Sequence, residues 1–168
     1  LAKKLEPEVD VVIITGDKDI LQLVSDRTEV YDTMKEKRFK VDEVIQRFGV
    51  PPEQVVEVMG LAGDAIDNIP GVPGIGEKTA IQLIKHYGSI ENLLTHVEEI
   101  PQKKLKENLK AHGDLARLSR QLATIHSVVP VRSQLKDFSH SSPDLKSLRE
   151  IFKELEFNKL LKDLFEEK

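Results

Sequence analysis

Gly63-Asp-Ala-Ile-Asp-Asn-Ile-Pro-Gly-Val-Pro-Gly-Ile-Gly-Glu-Lys-Thr-Ala80 puts four glycines, two prolines and two aspartates into 18 residues. So many turn formers make a connection, not a helix or strand. On one side Pro52 can open a helix to about Leu61, and on the other the apolar spacing predicts a helix over Glu77–Tyr87. Gly88 is placed to end that helix and Ser89 to cap the next. Two phosphate-binding motifs are excluded. A Walker A loop needs Gly directly before Lys, and Glu77 intrudes between Gly76 and Lys78. The dinucleotide fingerprint needs a third glycine where Thr79 stands. A tight hairpin fits better, with Gly74-Ile75-Gly76 at its tip. Glycine there lets a phosphate approach backbone N–H groups, and the next helix turns its positive end toward that phosphate. Ile75 would anchor the turn in the core and Lys78 would add a point charge. Such a device grips a duplex backbone without reading base sequence. The plainer alternative is an ordinary helix–turn–helix connection.

Upstream, Asp10-Val-Val-Ile-Ile-Thr15 is a short continuous apolar run, as expected of a fully buried parallel strand. Leu1 to Leu5 reads as the last turn of a helix, and Ile20 to Val24 as a short helix. Glu29–Tyr31 and Arg38–Val41 are strand candidates joined by a charged turn, after which Asp42 can cap a helix to Phe48. Asp17 and Asp19 directly follow the apolar strand, at the end where open α/β sheets place ligands. Asp64 and Asp67, three apart, would share one side of a helical turn. Crowded carboxylates repel one another, and a hard cation such as Mg²⁺ or Mn²⁺ offsets that repulsion. Two such ions roughly 4 Å apart can activate water and stabilise a leaving oxygen in phosphodiester cleavage. Turn and cap preferences alone would also put Asp at these positions.

Downstream the chain stays helical. Pro101 opens one helix, residues 114–125 form another, and Ser142-Pro143-Asp144 starts a last pair ending near Glu167. Phe152, Leu155, Leu160, Leu161 and Leu164 read as the core stripe of that pair. The fold class is therefore α/β followed by α, with residues 1–50 forming the tail of a parallel-sheet core and 51–168 a mainly helical part. With 168 residues, 39% of them hydrophobic and 32% charged, the chain can bury a core without staples. It has no cysteine, which excludes disulfides, Cys-ligated zinc and thiol catalysis. Its five histidines show no ligand-like spacing, and no apolar run reaches a membrane span. The net charge of −4 conceals local patches. Lys103, Lys104, Lys106, Lys110, Arg117 and Arg120 outnumber Glu107 and Asp114 between Ile100 and Leu122, and a smaller patch joins Lys35, Lys37, Arg38 and Lys40. Either a solvated helix face or a phosphate track fits the first patch.

Thr15-Gly-Asp-Lys-Asp-Ile-Leu-Gln-Leu-Val24 and the Gly63–Ala80 stretch together resemble the flap endonuclease family, in the form of the 5′-nuclease (5′-3′ exonuclease) domains of bacterial DNA polymerases I. The likeness runs to the closing Leu155-Glu-Phe-Asn-Lys-Leu-Leu161. It implies a metal-dependent, structure-specific nuclease acting on double-stranded and 5′-flap DNA in replication and repair, in the cytoplasm. Asp17, Asp19, Asp64 and Asp67 would belong to a two-metal cluster. A helix–three-turn–helix over about 52–87 would grip the duplex through Gly74, Ile75, Gly76, Lys78 and Thr79, assisted by Lys103, Lys104 and Lys106. A K⁺ ion would rest on the carbonyls of Pro70, Val72 and Ile75. The family's first strand, its further metal carboxylates and its basic arch precede the part matched here. The cluster is therefore expected to be incomplete, and the N-terminal part of the domain and polymerase domains are expected as partners. Two readings compete: a non-catalytic duplex-binding module with structural aspartates, and a phosphatase or phosphoacceptor of a doubly wound fold using Asp17 and Asp19. The helical stretch after Pro51 counts against the latter.

Overall fold

The computed structural model describes residues 1–140 and 142–165, which fall into two compact units, Leu1–Val131 and Arg132–Lys168. In the first unit a single helical turn, α1 (Ala2–Leu5), leads into β1 (Val11–Ile14). A short 3-10 helix, Lys18–Leu23, returns the chain to β2 (Thr28–Asp32), parallel to β1 with Val11 opposite Thr28 and Ile14 opposite Tyr31. β3 (Lys37–Phe39) runs back antiparallel, Val30 facing Phe39. The order β1-β2-β3 leaves β1 at an edge, and the full burial expected for it is not found. Ile13 packs against the core, whereas Val12 and Ile14 on the opposite face are 47% and 67% exposed. An unbroken apolar run signals two covered faces; here one face is covered.

Helices take over at α2 (Val41–Phe48). Its N-cap is Lys40, whose N–H donates to the Glu43 carboxylate at 3.0 Å, so Asp42 lies inside the first turn and is not the expected cap. A 3-10 turn at Pro52–Gln54 precedes α3 (Val55–Ala62). α4 (Glu77–Tyr87) ends at Gly88, and α5 (Ile90–Thr95) is capped by Ser89, whose hydroxyl accepts from the Asn92 N–H at 3.2 Å. The two helices expected after Pro101 are one, α6 (Lys103–Ala123), kinked at His112 where φ and ψ are −123° and 20°. One apolar core runs from the sheet into the helices, with Val30, Val44, Val55, Leu61 and Ile84 nearly inaccessible.

The second unit pairs α7 (Leu145–Glu154) with α8 (Asn158–Phe165). Asp144 caps α7 by accepting from the N–H groups of Lys146 and Ser147, both at 3.1 Å. The expected core stripe is not buried: Leu155, Leu160 and Leu164 are exposed and Phe152 and Leu161 only half-buried. Two short helices offer each other one narrow seam and cannot enclose a stripe. Glu167, where the last helix was expected to end, lies outside the described residues.

What positions the chain between α3 and α4 is close backbone packing. Gly60 lies where α3 meets α6, and a Cβ there would come within 2.8 Å of the Arg120 Cβ. Beyond α3 the chain loops out and returns through Gly71, at φ 61°, where a Cβ would come within 2.7 Å of the Gly63 Cα. From α6, the fully buried Ser119 hydroxyl accepts the Gly71 N–H at 3.0 Å. Ser119→Ala strands that buried N–H and should destabilise the chain by about 1–3 kcal/mol. Thermal melts read this as a drop in Tm of several degrees; an unchanged Tm would mean that α6 does not hold the loop through this bond.

Candidate metal centre and hairpin

Residues 64–69 form a tight turn, not the helical turn expected from sequence. Asp64 and Ile69 exchange backbone hydrogen bonds at 2.9 and 2.8 Å, and Asn68 takes the left-handed conformation at φ 56°. The buried Asp64 carboxylate accepts from the Ile66 N–H at 2.9 Å. The turn still brings Asp64 and Asp67 to the same side, and Asp19 joins them from the 3-10 helix after β1. Carboxylate oxygens of Asp19, Asp64 and Asp67 all lie within 4.8 Å of one another. Asp17 stands apart from this group: it is exposed and caps the 3-10 helix, accepting the Asp19 N–H at 3.0 Å.

The charges at this cluster are unequal. Lys18, between the two aspartates of the 3-10 helix, forms an ion pair with Asp64 and holds that carboxyl below the usual range despite its burial. Asp19 gains only a weaker, through-space offset from Lys18. Burial, with the nearby charges of Asp17 and Asp67, pushes its carboxyl up to about 6, and its buried Oδ1 has no hydrogen-bond partner. Three convergent carboxylates, one of them orphaned and destabilised in its charged form, are a donor set that a hard divalent cation would suit. The residues present fit one such ion. Among the described residues, the group is too small to cage a second.

Sequence reasoning missed three neighbours. Lys18 was embedded in the Asp17–Asp19 motif but its pairing was not foreseen. Asp32 lines the same cleft, yet its carboxylate is satisfied by Lys35 Nζ at 2.7 Å and by the N–H groups of Met34 and Lys35. Arg47 arrives from α2, and no local pattern announces it.

The hairpin has the anchor expected of it, since Ile75 is buried while Gly74, Gly76 and Lys78 are exposed. Gly76 is the N-cap of α4 and makes no side-chain cap, which leaves the first N–H groups of α4 without an acceptor side chain on their cap residue. A Cβ on Gly76 would meet no atom within 4 Å. Val72 O accepts the Ile75 N–H at 3.0 Å, closing the tip, and the Asn108 amide of α6 donates to Pro73 O. The basic count on α6 is largely answered by acids from other elements. Glu98 takes Lys106 and Lys110; Glu91 takes Arg117 and Arg120, which also reaches Glu57. Lys103 pairs with Glu107 within α6. Among the described residues, Lys78 and Lys104 keep no acidic partner.

No helix among the described residues is long and apolar enough to cross a membrane. The chain is 41% identical over 169 residues to DNA polymerase I of Bacillus caldotenax, covering 98% of this chain and 19% of that protein. It is likewise 41% identical over 165 residues to the thermostable DNA polymerase I of Thermus filiformis, covering 96% and 19%. The chain thus spans about a fifth of the length of these relatives. Among solved structures, zinc-bound T5 5′-exonuclease superimposes with a TM-score of 0.67 at 26% identity, over 73% of this chain and 46% of that one. The bacteriophage T5 flap endonuclease in complex with DNA and metal ions gives 0.67 at 25% over the same shares. Residues 50–146, more than half of the chain, match the 5′-3′ exonuclease family in its C-terminal SAM fold, and the chain belongs to that family.

Proposed function

We propose that this chain is the duplex-gripping part, with part of the metal cluster, of a structure-specific 5′-3′ exonuclease and flap endonuclease that hydrolyses DNA phosphodiester bonds in replication and repair. The observation that carries this reading is the convergence of Asp19, Asp64 and Asp67 on the turn that leads into the hairpin. Mg²⁺ or Mn²⁺ would be held by these three, with Asp17 as an outer neighbour, and when bound it supplies an activated water and stabilisation of the leaving oxygen. The chain's own residues do the rest. Gly74, Gly76, Thr79 and the open N–H groups of α4 receive phosphates, Lys78 and Lys104 add charge, and Lys103 and Lys106 contribute if duplex draws them from Glu107 and Glu98. The Pro70, Val72 and Ile75 carbonyls would form the seat if K⁺ is bound. The upstream part of the nuclease domain and polymerase domains complete the protein, in the cytoplasm, with 5′-flap and duplex DNA as its substrate.

Three outcomes test this reading. The first concerns Asp19, whose raised pKa means that the folded chain binds a proton more tightly than the unfolded one. That contribution to stability is present at low pH and lost as pH rises through about 6. Asp19→Asn should therefore raise Tm in chelator at pH 8 by roughly 2–4 °C, on the order of 1 kcal/mol after allowing for solvent screening. The stabilisation that Mn²⁺ gives the parent chain should disappear in the same variant and in Asp67→Asn. Equal Mn²⁺ shifts in parent and variants would leave the aspartates structural.

The second concerns the hairpin. Because Gly76 borders open space, Gly76→Val should leave Tm nearly unchanged while weakening duplex binding regardless of sequence. Lys78→Ala should weaken it too and lower the salt slope by roughly one unit. Binding isotherms over a salt series decide the matter.

In the third, the 168-residue chain binds a 5′-flap substrate but cleaves it poorly, since Mg²⁺ demands near-ideal octahedral coordination that three carboxylates do not complete. Extending the chain N-terminally should restore cleavage, and Asp67→Asn should then remove most of it while binding persists. Efficient, chelator-sensitive cleavage by the chain alone would show its own aspartates to be sufficient.

A further inference from the structure

Two cavities flank the carboxylate cluster, and two cations line both. The larger, about 430 Å³, holds Asp17, Asp19 and Asp67 on its walls; the smaller, about 170 Å³, lies among Gly63, Asp64 and Glu77. Lys18 and Arg47 are common to the two. They therefore form the ridge between the acidic cluster and the first turn of α4. Lys18 is committed to the buried Asp64. Arg47 is not committed in that way. Its Nη1 reaches Glu77 at 3.4 Å with both side chains about half exposed, and its guanidinium lies 5.1 Å from the centre of the Phe48 ring. Phe48 is itself buried, which fixes the last turn of α2 and hence where the arginine starts.

We infer that Arg47 is a substrate-positioning residue: it clasps the DNA phosphate that bridges the carboxylate cluster and the hairpin, and Glu77 holds that place in the free protein. The inference rests on the nuclease reading above. A guanidinium presents a planar fork that matches two phosphate oxygens, which a long, exposed ion pair to a carboxylate does not use. Glu77 occupies the first turn of α4, where the helix dipole favours an anion. A phosphodiester arriving there meets the same dipole and the same arginine with the same single negative charge as the carboxylate, spread over two non-bridging oxygens that match the guanidinium fork. Exchanging one anion for another at a half-exposed guanidinium requires little new desolvation, so the gain from a long single contact to a two-pronged one is kept as binding. The alternative is that Arg47 and Glu77 merely tie α2 to α4.

Binding of a labelled 5′-flap duplex to the 168-residue chain, in Ca²⁺ and over a salt series, separates the two. Arg47→Ala should weaken binding about tenfold and lower the salt slope by about one unit, and Arg47→Lys should recover the slope but only part of the affinity. Glu77→Gln should tighten binding severalfold in the parent and do so less in an Arg47→Ala background, since its benefit is to release the arginine. A structural tie gives the opposite pattern: both single variants lower Tm, and neither tightens binding. Unchanged affinity and slope in Arg47→Ala, or the same gain from Glu77→Gln with and without Arg47, overturns the inference. If Gly76→Val loses binding while Arg47→Ala does not, only the role of Arg47 falls. If the parent chain shows no salt-dependent binding, the nuclease reading falls with it.

Discussion

Gly63 and Gly71 approach so closely that neither backbone has room for a side chain: a Cβ on Gly63 would come within 2.6 Å of Ile69 O, and one on Gly71 within 2.7 Å of the Gly63 Cα. This contact closes a loop whose two ends are also stitched by the Asp64–Ile69 pair and by the Val72 N–H on Leu61 O at 2.8 Å. Asp64 and Asp67 lie inside the closed loop, and the hairpin tip begins where it ends. The separation between carboxylates and tip is thereby set by main chain and not by side-chain rotamers, which is the rigidity that positioning chemistry requires. Ser119 and Asn108 hold the loop and the tip from α6, one through an N–H and the other through a carbonyl.

The electrostatics of the cluster run against folding. One lysine answers one of three convergent carboxylates, and Asp19 keeps a buried oxygen with no donor. Such an arrangement is unfavourable for the fully ionised chain by itself, and a proton on Asp19 or a bound cation would relieve it. Strained charge of this kind concentrates at functional sites. Asp32 makes the contrast: it is less exposed than Asp19, but three donors satisfy it and Lys35 holds its carboxyl low. Burial alone does not mark a ligand; an unanswered charge does.

The hairpin was legible because its cues are local. Glycine, proline and caps act within a few residues, and α4 has the bounds Glu77–Tyr87 that spacing and Gly88 predict. Asp64 and Asp67 come together as expected, though on a tight turn and not a helical one. The misses share one physical origin. Periodicity tells which side chains share a face but not what covers that face, so it predicts β1 covered twice and the α7–α8 stripe buried, and the structure shows neither. Charge counting within a window fails likewise, because Glu91 and Glu98 meet the α6 cations from elements the window excludes. Lys18 and Arg47 belong to the same class: their partners are set by packing between segments, which no local pattern encodes.

Pairing on α6 changes how a duplex would be held. A chain of net charge −4 offers a polyanion no long-range attraction, and most of its apparent basic stripe is neutralised by its own acids. The proposed grip must then come from short-range features: open N–H groups at the start of α4, an unpaired Lys78, and cations held so weakly that a phosphate can take them. Such contacts act over a few ångströms, inside the roughly 8 Å screening length of physiological salt, and depend on shape more than on field. A hairpin that fits a duplex backbone only at the right distance from a carboxylate cluster selects by geometry. Under the proposed reading, in which the substrate is the junction of a duplex and a flap, geometry is the property to read.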